Sequence, residues 1–339
     1  MKSLFFSITL LLSSQLLIAQ TFNLPVSTTS EPAQKAYEAA TYLASNLRFE
    51  AARAELNRAL ELDPDFFMVY AYMYQVLASN GEKEGLMEKA LSIDTQNFTE
   101  AENVMRRQML VWKENPEAPP TEAMKALVTA YPNTPEAYEW AALHATFTTN
   151  DHTAGLTYAE KVIALDPNYP PIYNVLGYLR LYMDQMDEAK AAFEQYLELA
   201  PAEPNAHDSM GEYYMLTKDY VKSAGYYEQA VALGMESSQS RVEQAIAMQN
   251  PVMAEMMENK AIVEGIYRAF SRGDMKAFMD ALSPNVIWYE AEGNALADEN
   301  PYVGRKHIMD GIFARIGAEY EYYRVEEVEL HPMANDKVL

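Results

Sequence analysis

The chain has no cysteine. Disulfides, thiol nucleophiles, cysteine-ligated metals and a lipid anchor on cysteine are therefore excluded. Basic residues are scarce: 26 Lys and Arg stand against 49 Asp and Glu, for a formal net charge of −23 in 339 residues. No basic cluster interrupts this excess, so nucleic acid and anionic membrane surfaces are repelled. Histidine is sparse as well. His144, His152, His207, His307 and His331 are scattered, no two at metal-ligand spacing on one helix, and no metal site is expected. There is no glycine-rich phosphate loop and no serine-nucleophile motif, and nothing calls for a cofactor. Beyond the N-terminus no segment is long and apolar enough to span a bilayer.

The N-terminus itself does hold an apolar run. Lys2 supplies a positive start, "LFFSITLLL" the apolar stretch, and "LLIAQ" a cleavage point after Ala19. This is the pattern of a secretory signal peptide over residues 1–19. It predicts a periplasmic or secreted protein with no membrane span after cleavage; an uncleaved membrane anchor is the alternative.

A repeat follows. "ALELDP" ends at Pro64, "ALSIDT" at Thr95, "VTAYP" at Pro132, "VIALDP" at Pro167, "YLELAP" at Pro201 and "AVALGM" at Met235. The steps between them are about 34 residues, a period that marks a helical repeat. Small and bulky residues recur inside each step: Ala40, Ala52, Leu56 and Pro64; Gly177, Ala189, Phe193 and Pro201; Gly211, Ser223, Tyr227 and Met235. Small residues let two helices cross closely, aromatics fill the gap to the next pair, and proline stops the second helix. The pattern resembles the tetratricopeptide repeat. Six repeats fit between Gln34 and about Ser237, the second expected to be short in its helix B and the third degenerate around "ENPEAPP". The fourth is expected to carry one extra residue near "TTNDHT", and a helix over 238–249 to cover the end of the stack.

The resemblance implies that helix-A positions 2, 5, 9 and 12 line a concave groove for a protein or peptide partner. Positions 5 and 9 include Tyr37, Arg106, Asn174, Tyr178, Asp208 and Glu212, the candidate groove residues. Glu102 and Glu139 hold equivalent positions. The family's carboxylate clamp needs lysines and asparagines there, and only Asn174 fits, so that binding mode is not expected.

"MQNPVM" breaks the helical run at Asn250-Pro251. Ile262, Ile266 and Phe270 then give one apolar helix face. Gly273 is placed to end that helix, and Asp274 to cap the next; this explains the triplet "RGD" without cell adhesion. "NVIWYEAEG" reads as a strand, Ile308, Ile312, Phe313 and Ile316 as a third amphipathic helix, and "EYEYYRVEEVELHP" as a long strand.

This order, with "YRAFSRGDMKAFMDALSPNVIWYE" and Gly304-Arg305 before Ile308, resembles the SnoaL-like families of the nuclear-transport-factor-2-like fold. The resemblance implies a sheet curled around a pocket that takes a small apolar ligand. It places Glu290 where ketosteroid isomerases hold a catalytic carboxylate, although an alternative alignment puts Tyr289 there. Trp288 and Tyr289 are the candidate pocket residues. The family's later strands are missing, so the chain is expected to end inside an incomplete domain, a truncated record or else a degenerate one.

The expected fold is mainly α: a tetratricopeptide-repeat α-solenoid over 31–249, followed by a partial, cone-like α+β domain over 252–339. Two functions stay open. The preferred one is an exported scaffold that binds protein in its groove; the other is a small-molecule-binding or isomerase- or cyclase-like enzyme with its pocket in the second domain.

Overall fold

The computed structural model describes residues 22–290, 293, 295–319, 332–333 and 337–338. The predicted signal peptide and all but the first residue of the predicted strand over 319–330 lie outside the described residues. Among the described residues, no helix is long and apolar enough to cross a membrane.

Twelve helices follow one another as six pairs: α1 (Glu31–Ser45) and α2 (Phe49–Leu62); α3 (Phe67–Tyr72) and α4 (Asn80–Ser92); α5 (Glu100–Glu114) and α6 (Thr121–Ala130); α7 (Pro135–Phe147) and α8 (His152–Leu165); α9 (Pro170–Tyr182) and α10 (Met186–Leu199); α11 (Pro204–Leu216) and α12 (Tyr220–Ala232). Local chemistry sets the boundaries. Helices α1, α7, α9 and α11 carry proline in the first turn, where the missing N–H costs nothing. The turn inside four of the pairs contains one residue in the left-handed region, at Leu47, Asn150, Asp184 and Lys218, and the last three follow at one-repeat intervals. The loop between α7 and α8 has four residues (148–151), against three between α9 and α10 (183–185), which is the expected extra residue of the fourth repeat.

The second repeat corrects an expectation. Its helix B is of ordinary length, 13 residues in α4, and the irregularity lies in helix A. There α3 has six residues and runs into a five-residue π turn, Met73–Leu77. The cause is a continuous apolar run: every side chain from Phe66 to Tyr74 is buried, so this helix has no solvent face to set its phase. In the third repeat the proline-rich connection is pinned by Trp112, whose indole Nε1 donates to the Ala118 carbonyl at 2.8 Å.

The pairs turn back on themselves. The Tyr196 hydroxyl of α10 donates to Asn46 Oδ1 beside α1 at 2.5 Å, and Asn205 Nδ2 of α11 donates to the Tyr196 oxygen at 3.2 Å. The first repeat thus touches the fifth, and its Arg48 reaches Glu203, just ahead of α11, at 3.9 Å. The side of the pairs formed by the first helix of each is their inner face.

Contacts divide the chain into two units: one runs to Thr217 and includes 225–239, and the other holds 218–224 and 240–339. The helix α13 (Gln239–Met248), expected as a cover for the repeats, falls almost entirely in the second unit. Next come α14 (Pro251–Ser271) and α15 (Met275–Ala281). Between them Gly273 takes φ +72°, and Asp274 accepts from the Ala277 N–H at 3.0 Å, so the "RGD" triplet is a helix stop and a helix start. The remaining elements are β1 (Ile287–Trp288), β2 (Tyr302–Val303), α16 (Arg305–Ile308), which runs through a π turn into α17 (Ala314–Glu319), β3 (Pro332–Met333) and β4 (Lys337–Val338). β1 pairs antiparallel with β2, and β3 with β4. Among the described residues no sheet has more than these two short strands, so the curled sheet of the resemblance is not shown.

The core of this unit is Phe278, Met279, Leu282, Leu296, Tyr302, Ile308, Ile312 and Ile316. The apolar face of the third helix is therefore covered, with the Tyr302 ring seated against Gly311. On α14, Ile266 and Phe270 join this core, whereas Ile262 stays exposed. Arg305 ties the unit together by donating through Nε and Nη2 to the Leu282 carbonyl and through Nη2 to the Asp280 carbonyl, at the C-terminal end of α15. Arg305→Ala should destabilise the second unit by about 1–3 kcal/mol. Denaturant unfolding followed at Trp288 should then shift, while the transition reported by Trp112 and Trp140 in the repeats stays where it was; an unmoved Trp288 transition contradicts this role.

Candidate functional site

The inner face of the repeats is occupied by the chain itself. Residues 22–30 run extended ahead of α1 and lie on the N-terminal ends of α5 and α7. Four main-chain groups hold them. The Leu24 N–H donates to Glu136 Oε2, and the Ser27 N–H donates to Glu102 Oε1 at 3.0 Å. In return the Phe22 carbonyl accepts from the Glu136 N–H at 3.0 Å, and the Pro25 carbonyl accepts from the Thr99 hydroxyl at 2.9 Å. Side chains add to this. The Ser27 hydroxyl donates to Glu102 Oε1 at 2.8 Å, Thr28 donates to Asp63, the Leu24 side chain is buried, and the Phe22 ring lies 4.1 Å from that of Tyr169.

Local sequence explains the placement of Glu102. Thr99 and Glu102 form a capping box: the Thr99 N–H donates to Glu102 Oε2 at 2.8 Å, and Thr99 Oγ1 accepts from the Glu102 N–H. The cap fixes one oxygen of a fully buried carboxylate and leaves the other aimed at Ser27. Glu136 stands in the first turn of α7, just after Pro135, and is also fully buried.

Burial governs the electrostatics. It pushes the Glu136 carboxyl up to about 8; the Leu24 N–H opposes this, and the charges of Glu139 and Glu38 add to it. Glu139, one turn further along α7, is pushed up to about 7 by burial, with hydrogen bonds from Tyr169 and Ser45 opposing. The Tyr169 hydroxyl donates to Glu139 Oε1 at 2.8 Å. Among the described residues, Glu136 Oε1, the Tyr37 hydroxyl and Arg106 Nε on this face have no hydrogen-bond partner.

The six candidate groove residues do not act as one surface. Tyr37 is only 1% exposed, with its ring between Phe66 at 5.3 Å and Tyr72 at 6.0 Å; it packs between repeats and offers a partner no face. Asn174 and Asp208 are buried too; the first serves the join to the next helix pair and the second holds the turn that follows α12. Asn174 Oδ1 accepts from Ser209 at 2.7 Å, and Asp208 Oδ1 accepts from Ser238 at 2.5 Å. Tyr178 is half-buried and donates to Glu212 Oε2 at 2.6 Å, across one repeat. Arg106 is half-buried on α5, on the occupied face. Glu136 holds helix-A position 2, which the family pattern assigns to the groove, so it could have been read from the repeat spacing. Leu24 and Ser27 carry no such signal.

The second unit's candidates are separate from this face. Trp288 is half-buried and its ring lies near Phe278 and Phe313, so it packs in the core. Its Nε1 donates to Glu290 Oε1 at 2.9 Å, and the Glu290 backbone is bound both ways by the Asn300 side chain. Trp288 and Glu290 therefore share a face. Tyr289, between them in sequence, is 70% exposed.

Residues 170–203, which span α9 and α10, match the family model of the tetratricopeptide repeat. No curated protein matches the sequence. Solved structures similar to the chain include PilW, described as a widely conserved type IV pilus biogenesis factor, at 17% identity over 64% of this chain and 99% of that one, with a TM-score of 0.41. MamA is similar at 18% identity over 59% of this chain and 96% of that one, with a TM-score of 0.32. A thermophilic TPR protein in Thermus thermophilus is similar at 18% identity over 63% of this chain and 98% of that one, with a TM-score of 0.34. The matched segment is one of six successive helix pairs, which together form a helical repeat scaffold.

Proposed function

We propose that the chain is an exported scaffold whose repeats bind an extended segment of a partner protein on their inner face, with the second unit as an accessory SnoaL-like domain. One observation carries this reading: the inner face already holds an extended segment by its main chain, at both N–H and carbonyl groups. Main-chain recognition supplies affinity with little demand on sequence, and the buried Leu24 site supplies selectivity. The signal pattern over 1–19 supports export.

Selection of displayed random peptides on the full chain tests the reading. Enriched peptides should photo-cross-link to α5 or α7. Cross-links confined to the second unit or the outer repeat surface would contradict it.

A further inference from the structure

Resting on that reading, we infer that residues 22–30 are an intramolecular competitor for the groove. The peptide that replaces them is extended and free of acidic residues, with an apolar side chain at the Leu24 place and a hydroxyl three residues on.

Four features of the segment point to displacement. It has no helix or strand of its own. Of its side chains only Leu24 is buried, while Pro25 and Thr29 are exposed. Apart from Leu24 and the half-buried Phe22 and Val26, its grip is polar, and water competes for each of those bonds once the segment lifts. Residues 22–29 carry no charged side chain, whereas the acceptors beneath them are the carboxylates of Glu102, Glu136 and Asp63. An acidic peptide would meet repulsion there.

The fit in cis is also incomplete. Among the described residues Glu136 Oε1 has no partner, on a side chain that is only 1% exposed. A buried polar group without a partner is a cost that a better-matched ligand removes. An incoming peptide with an amide side chain beside the Leu24 place, able both to donate and to accept, would supply the missing partner. The segment thus holds the groove closed without using all that the groove offers, and a partner with the same main-chain pattern and one more hydrogen-bonding side chain outcompetes it.

The probe is a fluorescein-labelled synthetic peptide of residues 22–30, read by anisotropy against the full chain and two full-length variants. Ser27→Pro removes the N–H and the hydroxyl that bond to Glu102. Leu24→Asp removes the apolar anchor and places a charge beside Glu136. Each variant should bind the peptide at least about tenfold more tightly than wild type, because the competitor has been weakened. The same peptide carrying Leu24→Asp should bind none of them. Equal binding by all three proteins overturns the competition, and so does absence of binding to both variants. Loss of the helical circular-dichroism signal in both variants also overturns it, because the segment would then be part of the fold. The groove reading is decided separately, by where the displayed peptides cross-link.

Discussion

Gly177→Leu should unfold the repeats at a markedly lower temperature than wild type, with a loss on the order of 3 kcal/mol. Gly177 in α9 lies directly against the Phe193 ring of α10. A Cβ added there would stand 2.2 Å from Phe193 Cε1 and 2.5 Å from Cδ1. Phe193 is itself fully buried and has nowhere to retreat. The helices must therefore move apart, and the crossing they lose is the one on which each repeat stacks. Gly211 against Tyr227 reproduces the arrangement in the next repeat, with a closest approach of 2.6 Å, and should respond alike. By contrast Gly225, on the outside of α12, has nothing within 4 Å, so Gly225→Ala should be neutral or slightly stabilising. Thermal melts of the three variants check this. A Gly177→Leu midpoint equal to wild type would mean that α9 and α10 do not cross there.

The second large effect is on pH dependence. Glu136 and Glu139 are carboxyls whose folded values, about 8 and about 7, lie well above the ordinary 4.5. Between those limits the folded chain holds protons that the unfolded chain has released. Their stabilising share is thus fully present below about pH 4.5 and is lost as pH rises towards 8. Stability should fall by about 2–4 kcal/mol between pH 5 and pH 8.5. Glu136→Gln keeps an oxygen for the Leu24 N–H and never ionises, so it should melt like wild type near pH 5 and above it at pH 8.5. Exposed carboxylates such as Glu82, held low by hydrogen bonds from Ser79, act in the opposite direction and only in more acid solution. Parallel wild-type and Glu136→Gln melting curves across this range would show that the carboxyl is not buried as described.

The helix pairs were legible because their cause is local. Proline in the first turn, small residues at the crossings and the regular repeat step each leave a mark that survives without neighbours. Gly177 and Gly211 could be placed against bulky partners for the same reason. What could not be read is whatever depends on long-range closure. Tyr37 sits at a groove position, yet being in the groove does not tell whether Phe66 and Tyr72 enclose it. Residues 22–30 have no periodicity and take their shape from hydrogen bonds to α5 and α7, helices two and three repeats further along the chain. The second repeat was misplaced because an unbroken apolar run hides which helix is shortened. In the second unit, Trp288 and Glu290 share a face as strand alternation requires, while strand length there depends on pairing that no single segment encodes.

Amide hydrogen exchange at Leu24 and Ser27 in the full chain tests the central claim, that the inner face of the repeats grips an extended segment by its main chain. Both N–H groups end on buried carboxyl oxygens, those of Glu136 and Glu102. Both should exchange at least about a hundredfold more slowly than in the free peptide of residues 22–30, yet faster than core amides of α9 such as Val175, because the segment opens before the helices do. Free-peptide rates at both positions would contradict the claim.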